Sequence, residues 1–166
     1  MKSRVLLSGS FDPPTYGHDD LIRRMSLLFD EVYVVIFINE SKKSFFPLQK
    51  RKEWLERLAA KYPCVRIDTD SGFVADYVKR NEIPIIVRGV RNAEDLAYEI
   101  PMAEYNLTHG DAETLLLYSR EEFVNVSSSR VRKSLLEGTE DAYHLLSPEI
   151  RDEICENWRI FHQECQ

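Results

Sequence analysis

The segment between the first apolar run and the first amphipathic pattern combines conformational restriction with groups that could do chemistry. It reads GSFDPPTYGHDD, residues 9–20. Its glycines permit tight backbone geometry, and Pro13 and Pro14 stiffen the turn. Thr15 can cap a helix whose first free amides, together with the helix dipole, form an anion site. His18 then lies on the first helical turn facing that site. The spacing fits neither a Walker loop nor G-x-G-x-x-G, and an ordinary capped helix start is the alternative.

Basic residues gather after several apolar runs of a chain that is acidic overall. The net charge is −6, so the surface as a whole is not expected to attract nucleic acid. The basic groups are Lys42 and Lys43, Arg88 and Arg91, and Arg130, Arg132 and Lys133. Each group alone could be solvated loop charge. Their repeated position after predicted strands favours a site for a small polyanion.

Short apolar runs alternate with helical patterns along the chain. The predicted strands are 4–8, 31–38, 65–69, 83–88 and 113–118, and three of them are apolar at nearly every position, as in strands covered on both faces. Apolar residues at helical spacing lie between them, at 21–29, 48–62 and 72–81. This alternation predicts an α/β fold with a doubly wound, parallel five-stranded sheet. Ligands bind such sheets beyond the carboxyl ends of the strands, which is where the basic groups are predicted to lie.

Composition indicates one soluble globular domain, residues 1–166. Hydrophobic residues make up 43% and charged residues 30% of the chain, without a membrane-length apolar run or a signal-peptide pattern. We therefore expect no membrane association and a cytoplasmic location. Cys64, Cys155 and Cys165 are scattered without metal-ligand spacing, which favours free thiols over disulfides or a zinc site.

Two segments resemble the signatures of the nucleotidyltransferase superfamily that carries the [TH]-x-G-H motif. GSFDPPTYGH resembles the first signature, and the serine-rich VSSSRVRK resembles the second. Within that superfamily, three further segments resemble bacterial phosphopantetheine adenylyltransferases: NESKKSFFPLQKR, IVRGVRNAEDLAYE and MAEYN. LLSPEIRDEI resembles their C-terminal helix region, so the resemblance covers nearly the whole chain. It implies a Rossmann-like nucleotidyltransferase fold with C-terminal helices, and transfer of an adenylyl group from ATP to 4′-phosphopantetheine in coenzyme A biosynthesis.

The resemblance also implies the residues of the site. The catalytic residues would be His18, Lys42 and Arg91. ATP would be bound by Ser10, Phe11, His18, Gly89, Val90, Arg91, Glu99, Phe123, Val124, Asn125, Val126, Ser127, Ser128 and Ser129. The acceptor would be bound by Ser10, Lys42, Val74, Arg88 and Asn106. In this scheme Glu99 faces the ribose or base, Val74 lines the pantetheine channel, and Asn106 bonds the pantetheine arm.

The chemistry of such a transfer fits these residue types. A phosphate nucleophile is largely ionised at neutral pH and needs no strong base. It needs two anions brought together and charge absorbed at the α-phosphorus. Mg²⁺ would neutralise the β- and γ-phosphates. The sequence shows no cluster of carboxylates for a metal site built by the protein, so the metal is expected to be carried mainly by ATP.

The chain also departs from the family pattern. Leu7 and Ser8 stand where an aromatic–proline pair is usual, and Tyr16 stands where asparagine is common. Pro101 falls inside the predicted helix NAEDLAYEIPMAEYNL and is expected to kink or break it, which affects the placement of Glu99 and Asn106. Two alternatives remain open: an adenylyl- or cytidylyltransferase with another acceptor such as nicotinamide mononucleotide, and a non-catalytic nucleotide-binding regulator.

The resemblance further implies a homo-oligomer, specifically a homohexamer. The sequence supplies its own indication near the charged C-terminus, where Trp158, Ile160 and Phe161 suggest a covered apolar patch.

Overall fold

A parallel sheet forms the centre of the molecule. The structure, a computed structural model, describes residues 2–39 and 41–163. Within these residues, five parallel strands are hydrogen-bonded in the order β3-β2-β1-β4-β5. The strands are β1 (Arg4–Gly9), β2 (Glu31–Phe37), β3 (Val65–Asp70), β4 (Ile85–Val90) and β5 (Glu113–Tyr118). The fold class predicted from the sequence is confirmed.

Helices connect the strands and follow the last one. Those between strands are α1 (Tyr16–Leu28), α2 (Leu48–Ala59), α3 (Val74–Arg80) and α4 (Ala93–Gly110). Those after the sheet are α5 (Ser128–Glu137), α6 (Asp141–Leu145) and α7 (Arg151–Gln163). A short 3₁₀ turn at 121–123 precedes α5.

Alternate side chains of the central strands enter cores on opposite faces of the sheet. Val5 and Leu7 pack with apolar residues of α1 and α2. Leu6 packs on the other face with Tyr77 and Val78 of α3. A third cluster joins α5, α6 and α7 to Phe46 and to the outer side of α2. Because strand side chains alternate between faces, this packing makes the sheet doubly wound.

The central strand β1 pairs with both neighbours in parallel. Its partner β2 follows after one helix, whereas its other partner, β4, lies about 80 residues along the chain. The chain therefore winds outward from β1 in both directions, and a crevice opens beyond the carboxyl ends of β1 and β4. In open α/β sheets this switch point is the usual ligand site.

Two elements differ from the expectations. Helix α4 runs continuously from Ala93 to Gly110 with Pro101 inside it, so the expected break is wrong. Strand β5 is an edge strand whose Leu115 and Leu116 are largely exposed, so coverage on both faces does not hold for it within one chain. Adjacent strand residues point to opposite faces, so both faces of β5 are partly open to solvent.

Further findings concern the membrane and the cysteines. No described helix is long and apolar enough to cross a membrane. Cys64 and Cys155 are free, half-buried thiols, whereas Cys165 lies outside the described residues. The single domain over 1–166 stays a prediction.

Candidate active site

The turn between β1 and α1 has the restricted geometry that its sequence suggested. Phe11 adopts a left-handed backbone conformation with φ of 46°, which costs a non-glycine residue roughly 1 kcal/mol or more. Its side chain is 2% exposed, and its ring contacts the His18 ring edge-on, with centroids 4.9 Å apart. The buried aromatic side chain therefore connects the strained turn to the first turn of α1.

His18 is held as a neutral imidazole with a defined tautomer. Its Nδ1 accepts a hydrogen bond of 3.0 Å from the backbone N–H of Thr15, which leaves Nε2 as the protonated nitrogen. Burial, and then the charges of Arg88 and Arg91, lower the pKa of His18 from 6.5 to about 4. At neutral pH the ring is therefore a hydrogen-bond donor through Nε2 and carries no charge.

Two arginines from the end of β4 lie on the same side as His18. The guanidinium of Arg88 donates two bonds of 2.8 Å to the Glu99 carboxylate and a third to the carbonyl of Ser8. Arg91 donates bonds of 2.8 and 2.9 Å to the Asp95 carboxylate, which lowers the pKa of Asp95. Bidentate pairs of this kind hold a guanidinium in one orientation.

These groups open into one cavity of about 370 Å³ beyond the carboxyl end of the sheet. The predicted residues that line it are His18, Arg88, Gly89, Arg91, Glu99, Phe123, Val126, Ser127 and Ser128. Ser127 caps α5 by accepting a hydrogen bond of 3.2 Å from the N–H of Arg130. Because Ser127 and Ser128 line the cavity, the amino terminus of α5 borders it. The cavity thus combines cations, a helix start and a neutral imidazole, all of which favour a bound phosphate.

Gly89 permits a close approach between β4 and α1 at this cavity. A Cβ atom at position 89 would lie 2.7 Å from Cδ1 of Leu21, which is closer than real carbon contacts. The absence of a side chain therefore lets the strand that carries both arginines lie against the helix that carries His18.

A second cavity, of about 860 Å³, lies on the other side of the turn. It is lined by the predicted residues Ser10 and Lys42, and its remaining polar residues include Lys43, Arg51 and Arg132. Its wall is aromatic, with Phe45 and Trp158 stacked at 4.6 Å. Asp12 also lines this cavity, whereas Thr15 lines the first one, so the turn borders both.

The structure separates some residues that the resemblance groups together. Arg88 lines the first cavity with the predicted nucleotide residues, and Lys42 lines the second. The remaining predicted residues line neither of these two cavities: Phe11, Val74, Val90, Asn106, Val124, Asn125 and Ser129. Of these, Phe11, Val90 and Asn106 are buried. The binding role of each of them stays a prediction.

Sequence reasoning missed the partners that hold the predicted cations. Asp95 is paired with Arg91. The signal available in the sequence was their spacing of four residues, at which opposite charges near a helix start can pair. Tyr98 also lines the first cavity. Arg51 is 4% exposed. The sequence indicated its burial only through its position on the apolar side of an amphipathic helix.

Among residues 2–39 and 41–163, no group of three or more His, Cys, Asp and Glu side chains could hold a metal ion. Three carboxylates line the first cavity, those of Glu94, Asp95 and Glu99, and the last two are engaged with Arg91 and Arg88.

Comparison with known proteins identifies the family. Residues 6–134 match the model of the cytidylyltransferase-like family. A phosphopantetheine adenylyltransferase from Streptomyces coelicolor is 38% identical over 94% of this chain and 98% of its own length. One from Streptococcus pneumoniae is 43% identical over 89% of this chain and 94% of its own. The chain belongs to the phosphopantetheine adenylyltransferase family. The resemblance stated from its motifs is confirmed.

A solved structure supports the fold of this phosphopantetheine adenylyltransferase family member. The nicotinic acid mononucleotide adenylyltransferase of Plasmodium falciparum, complexed with APC, superposes with a TM-score of 0.68. The match covers 98% of this chain and 96% of that chain at 18% identity. At this identity the likeness concerns the nucleotidyltransferase fold alone.

Proposed function

We propose that the chain transfers the adenylyl group of ATP to 4′-phosphopantetheine, giving dephospho-coenzyme A and pyrophosphate. The observation that carries this proposal is the neutral, half-buried His18, whose Nε2–H is available beside Arg88 and Arg91 in a cavity bordered by the amino terminus of α5. Its relatives named phosphopantetheine adenylyltransferase support the choice of reaction.

The two cavities suggest how the substrates meet. ATP occupies the first cavity, with its phosphates at Arg91 and the serine helix start. The acceptor phosphate approaches across the turn, from the side of Lys42 and Ser10. The turn borders both cavities, so it lies where the two phosphates react. Placing two anions together in this way supplies much of the rate enhancement.

The reaction needs charge stabilisation rather than proton removal. An oxygen of the acceptor phosphate forms a bond to the α-phosphorus, while the bond from that phosphorus to the bridging oxygen of pyrophosphate breaks. The attacking oxygen is already ionised, so His18 acts as a donor from Nε2 to an α-phosphate oxygen. Its donation strengthens as negative charge develops there.

A divalent cation would accompany ATP in this scheme. The carboxylates of Asp95 and Glu99 are committed to arginines, and the triphosphate itself offers the oxygen ligands that Mg²⁺ prefers. We therefore propose that Mg²⁺ is carried by the β- and γ-phosphates, where it supplies charge neutralisation.

Self-association is the second part of the proposal. Helix α4 and strand β5 expose much apolar surface: Leu96, Tyr98, Ile100, Met102, Tyr105 and Leu107 of α4 are exposed, as are Leu115, Leu116 and Tyr118 of β5. A soluble chain rarely leaves so large an apolar face uncovered. Copies of the chain cover it, in the homohexamer that the family resemblance implies. The C-terminal residues are weaker support, because Trp158 packs on Phe45 and the side chain of Phe161 lies outside the described part.

A pyrophosphate-release screen tests the reaction. ATP or CTP is paired with 4′-phosphopantetheine or nicotinamide mononucleotide, and pyrophosphate is measured by a coupled assay. Release is expected with ATP and 4′-phosphopantetheine only. Release with nicotinamide mononucleotide, or with CTP, would assign a sister nucleotidyltransferase activity. Nucleotide binding without release from any pair would identify a non-catalytic regulator.

Cytoplasmic location is part of the proposal, and fractionation of cells that produce the chain tests it.

A further inference from the structure

The backbone carbonyls of the strained turn are held by side chains from two distant helices. Arg51 of α2 donates from Nη1 to the carbonyl of Ser10 at 2.7 Å. Arg132 of α5 donates from Nη1 to the carbonyl of Asp12 at 2.6 Å. These two carbonyls flank Phe11, the residue with the left-handed backbone. We call Arg51 and Arg132 the guanidinium clamp.

Both arginines are themselves fixed by further contacts. Arg51 is 4% exposed and also donates to Oγ of Ser44 at 3.1 Å. Arg132 also donates to Oγ of Ser129 at 3.0 Å. The carboxylate of Asp12 accepts the backbone N–H groups of residues 45 and 46 at 2.7 and 2.8 Å. The turn is therefore attached to α2, to α5 and to the loop that leads into α2.

We propose that Arg51 and Arg132 are positioning residues that fix the carbonyls on either side of Phe11 and so keep the Phe11 ring against His18. The inference rests on the proposed adenylyl transfer, since it concerns the geometry in which His18 meets the α-phosphate. Neither arginine needs to touch a reacting atom for this role.

Two physical reasons support the role. A left-handed Phe11 relaxes unless its neighbours are held, and a cationic donor on each neighbouring carbonyl holds them by charge-assisted bonds. The same bonds occupy the carbonyl oxygens, whose partial negative charge would otherwise repel a phosphate. The clamp thus makes the turn rigid and compatible with an anion.

Matched variants isolate the clamp. Arg51→Lys keeps the charge but loses the forked donor geometry, and Arg132→Met removes the donor at a half-buried position where folding is less at risk. Arg57→Lys is the control on α2, because Arg57 contacts Glu149 and Glu153 rather than the turn. Glu137→Gln is the control on α5, where Glu137 faces Lys133. We expect the clamp variants to lower kcat roughly 10- to 100-fold, and the controls to change it less than about twofold.

A cycle with His18→Ala separates positioning from general destabilisation. If the clamp acts through His18, Arg132→Met loses most of its effect on kcat when His18 is already absent. When His18 is intact, Arg132→Met should change the KM for ATP much less than it changes kcat. Equal fold losses of kcat in both backgrounds, or no loss in either, would overturn the proposal.

A spectroscopic titration tests, independently of turnover, whether the guanidinium clamp keeps the Phe11 ring against His18. In the unaltered chain the His18 ring should stay neutral at pH 5.5 in ¹⁵N NMR spectra, since its pKa is lowered to about 4. In Arg51→Lys and Arg132→Met the Phe11 ring withdraws and water reaches His18, so its pKa should rise towards the ordinary value. An unchanged titration contradicts the clamp. Absence of pyrophosphate release by the unaltered chain contradicts the proposed reaction instead, and this titration still tests the clamp.

Discussion

At the scale of single residues, the protonation state of His18 determines what the site can do. The backbone N–H of Thr15 occupies Nδ1, and burial with two nearby arginines keeps the ring uncharged. In the proposed reaction a neutral donor gains interaction energy as charge develops on a phosphate oxygen, and ground-state binding falls largely to the arginines. This division of roles leads to three predictions.

The first prediction concerns His18→Ala. We expect kcat to fall by roughly 10² to 10³, as when one oxyanion-hole donor is removed, because the contact is strongest in the transition state. The Kd for ATP, measured by calorimetry, should change far less. Strongly weakened ATP binding with near-normal turnover at saturation would reduce His18 to a binding contact.

The second prediction is a pH dependence of stability. The pKa of His18 is about 4 in the folded chain and about 6.5 when unfolded. The unfolded chain therefore takes up the proton first, and stability is lost as pH falls from about 6.5 to about 4. Between pH 7.5 and 5, the unaltered chain should lose about 2 kcal/mol more free energy of unfolding than His18→Gln, whose side chain cannot titrate. Urea denaturation at each pH measures the difference. Equal losses in both proteins would show that the ring is accessible to protons.

The third prediction separates the two cations assigned to different substrates. Lys42→Ala should raise the KM for 4′-phosphopantetheine more than that for ATP, because Lys42 lines the second cavity. Arg91→Ala should show the opposite bias, because Arg91 lines the first. Steady-state kinetics with each substrate varied in turn provides the measurement. Equal effects on both substrates would refute this division.

At the scale of elements, the site depends on how closely helices and strands approach. Helix α4 supplies Glu99 and Asp95 to the arginines of β4, and it can do so because it lies tightly on α3. At the contact between these helices, a Cβ on Gly110 would lie 3.0 Å from backbone atoms of Ala75 and 2.8 Å from Val78. A backbone neighbour cannot move aside as the end of a side chain can.

The fourth prediction follows for Gly110→Ala. The added methyl group should separate α3 from α4 and lower the free energy of unfolding by roughly 1 to 3 kcal/mol, as overpacking does. Thr108→Ala, at an exposed position of the same helix, should change it by less than about 0.5 kcal/mol. Urea denaturation measures both, and a Gly110→Ala protein as stable as the parent would contradict the tight contact.

The elements themselves were largely predictable, and the contacts between them were not. The alternation of apolar runs with helical spacing predicted the parallel sheet, because strands buried on both faces are nearly continuous runs of apolar residues. The break expected at Pro101 does not occur, because α4 continues through this residue. The motifs predicted His18, Arg91 and the serines as site residues, and the structure places His18, Arg91, Ser127 and Ser128 around the first cavity. The partners Asp95 and Arg51 were missed because pairing across space depends on the assembled fold.

At the scale of the whole molecule, one face differs from the rest of the surface. The exposed apolar residues of α4 and β5 form most of the uncovered hydrophobic surface beside the first cavity, where Tyr98 and Glu99 of α4 lie. Association through this face would therefore also protect the helix that supports Arg88 and Arg91.

The fifth prediction tests that association. The unaltered chain should sediment as an oligomer at micromolar concentration, and Leu115→Glu, which places a charge on the edge strand, should shift it towards the monomer. Leu136→Glu is the control, because Leu136 is exposed on α5 outside this face. A monomeric parent chain, or an oligomer indifferent to Leu115→Glu, would contradict the proposed interface.

The position of β1 between β2 and β4 also bears on the order in which the chain acquires its shape during synthesis. Strands β1 to β3 emerge first and can pair locally, whereas β4 joins β1 only after about 80 further residues have been made. Until then the turn between β1 and α1 exists without the arginines opposite it. The nascent chain is therefore expected to remain without affinity for nucleotide until β4 docks, and ATP is expected to stabilise only the finished molecule.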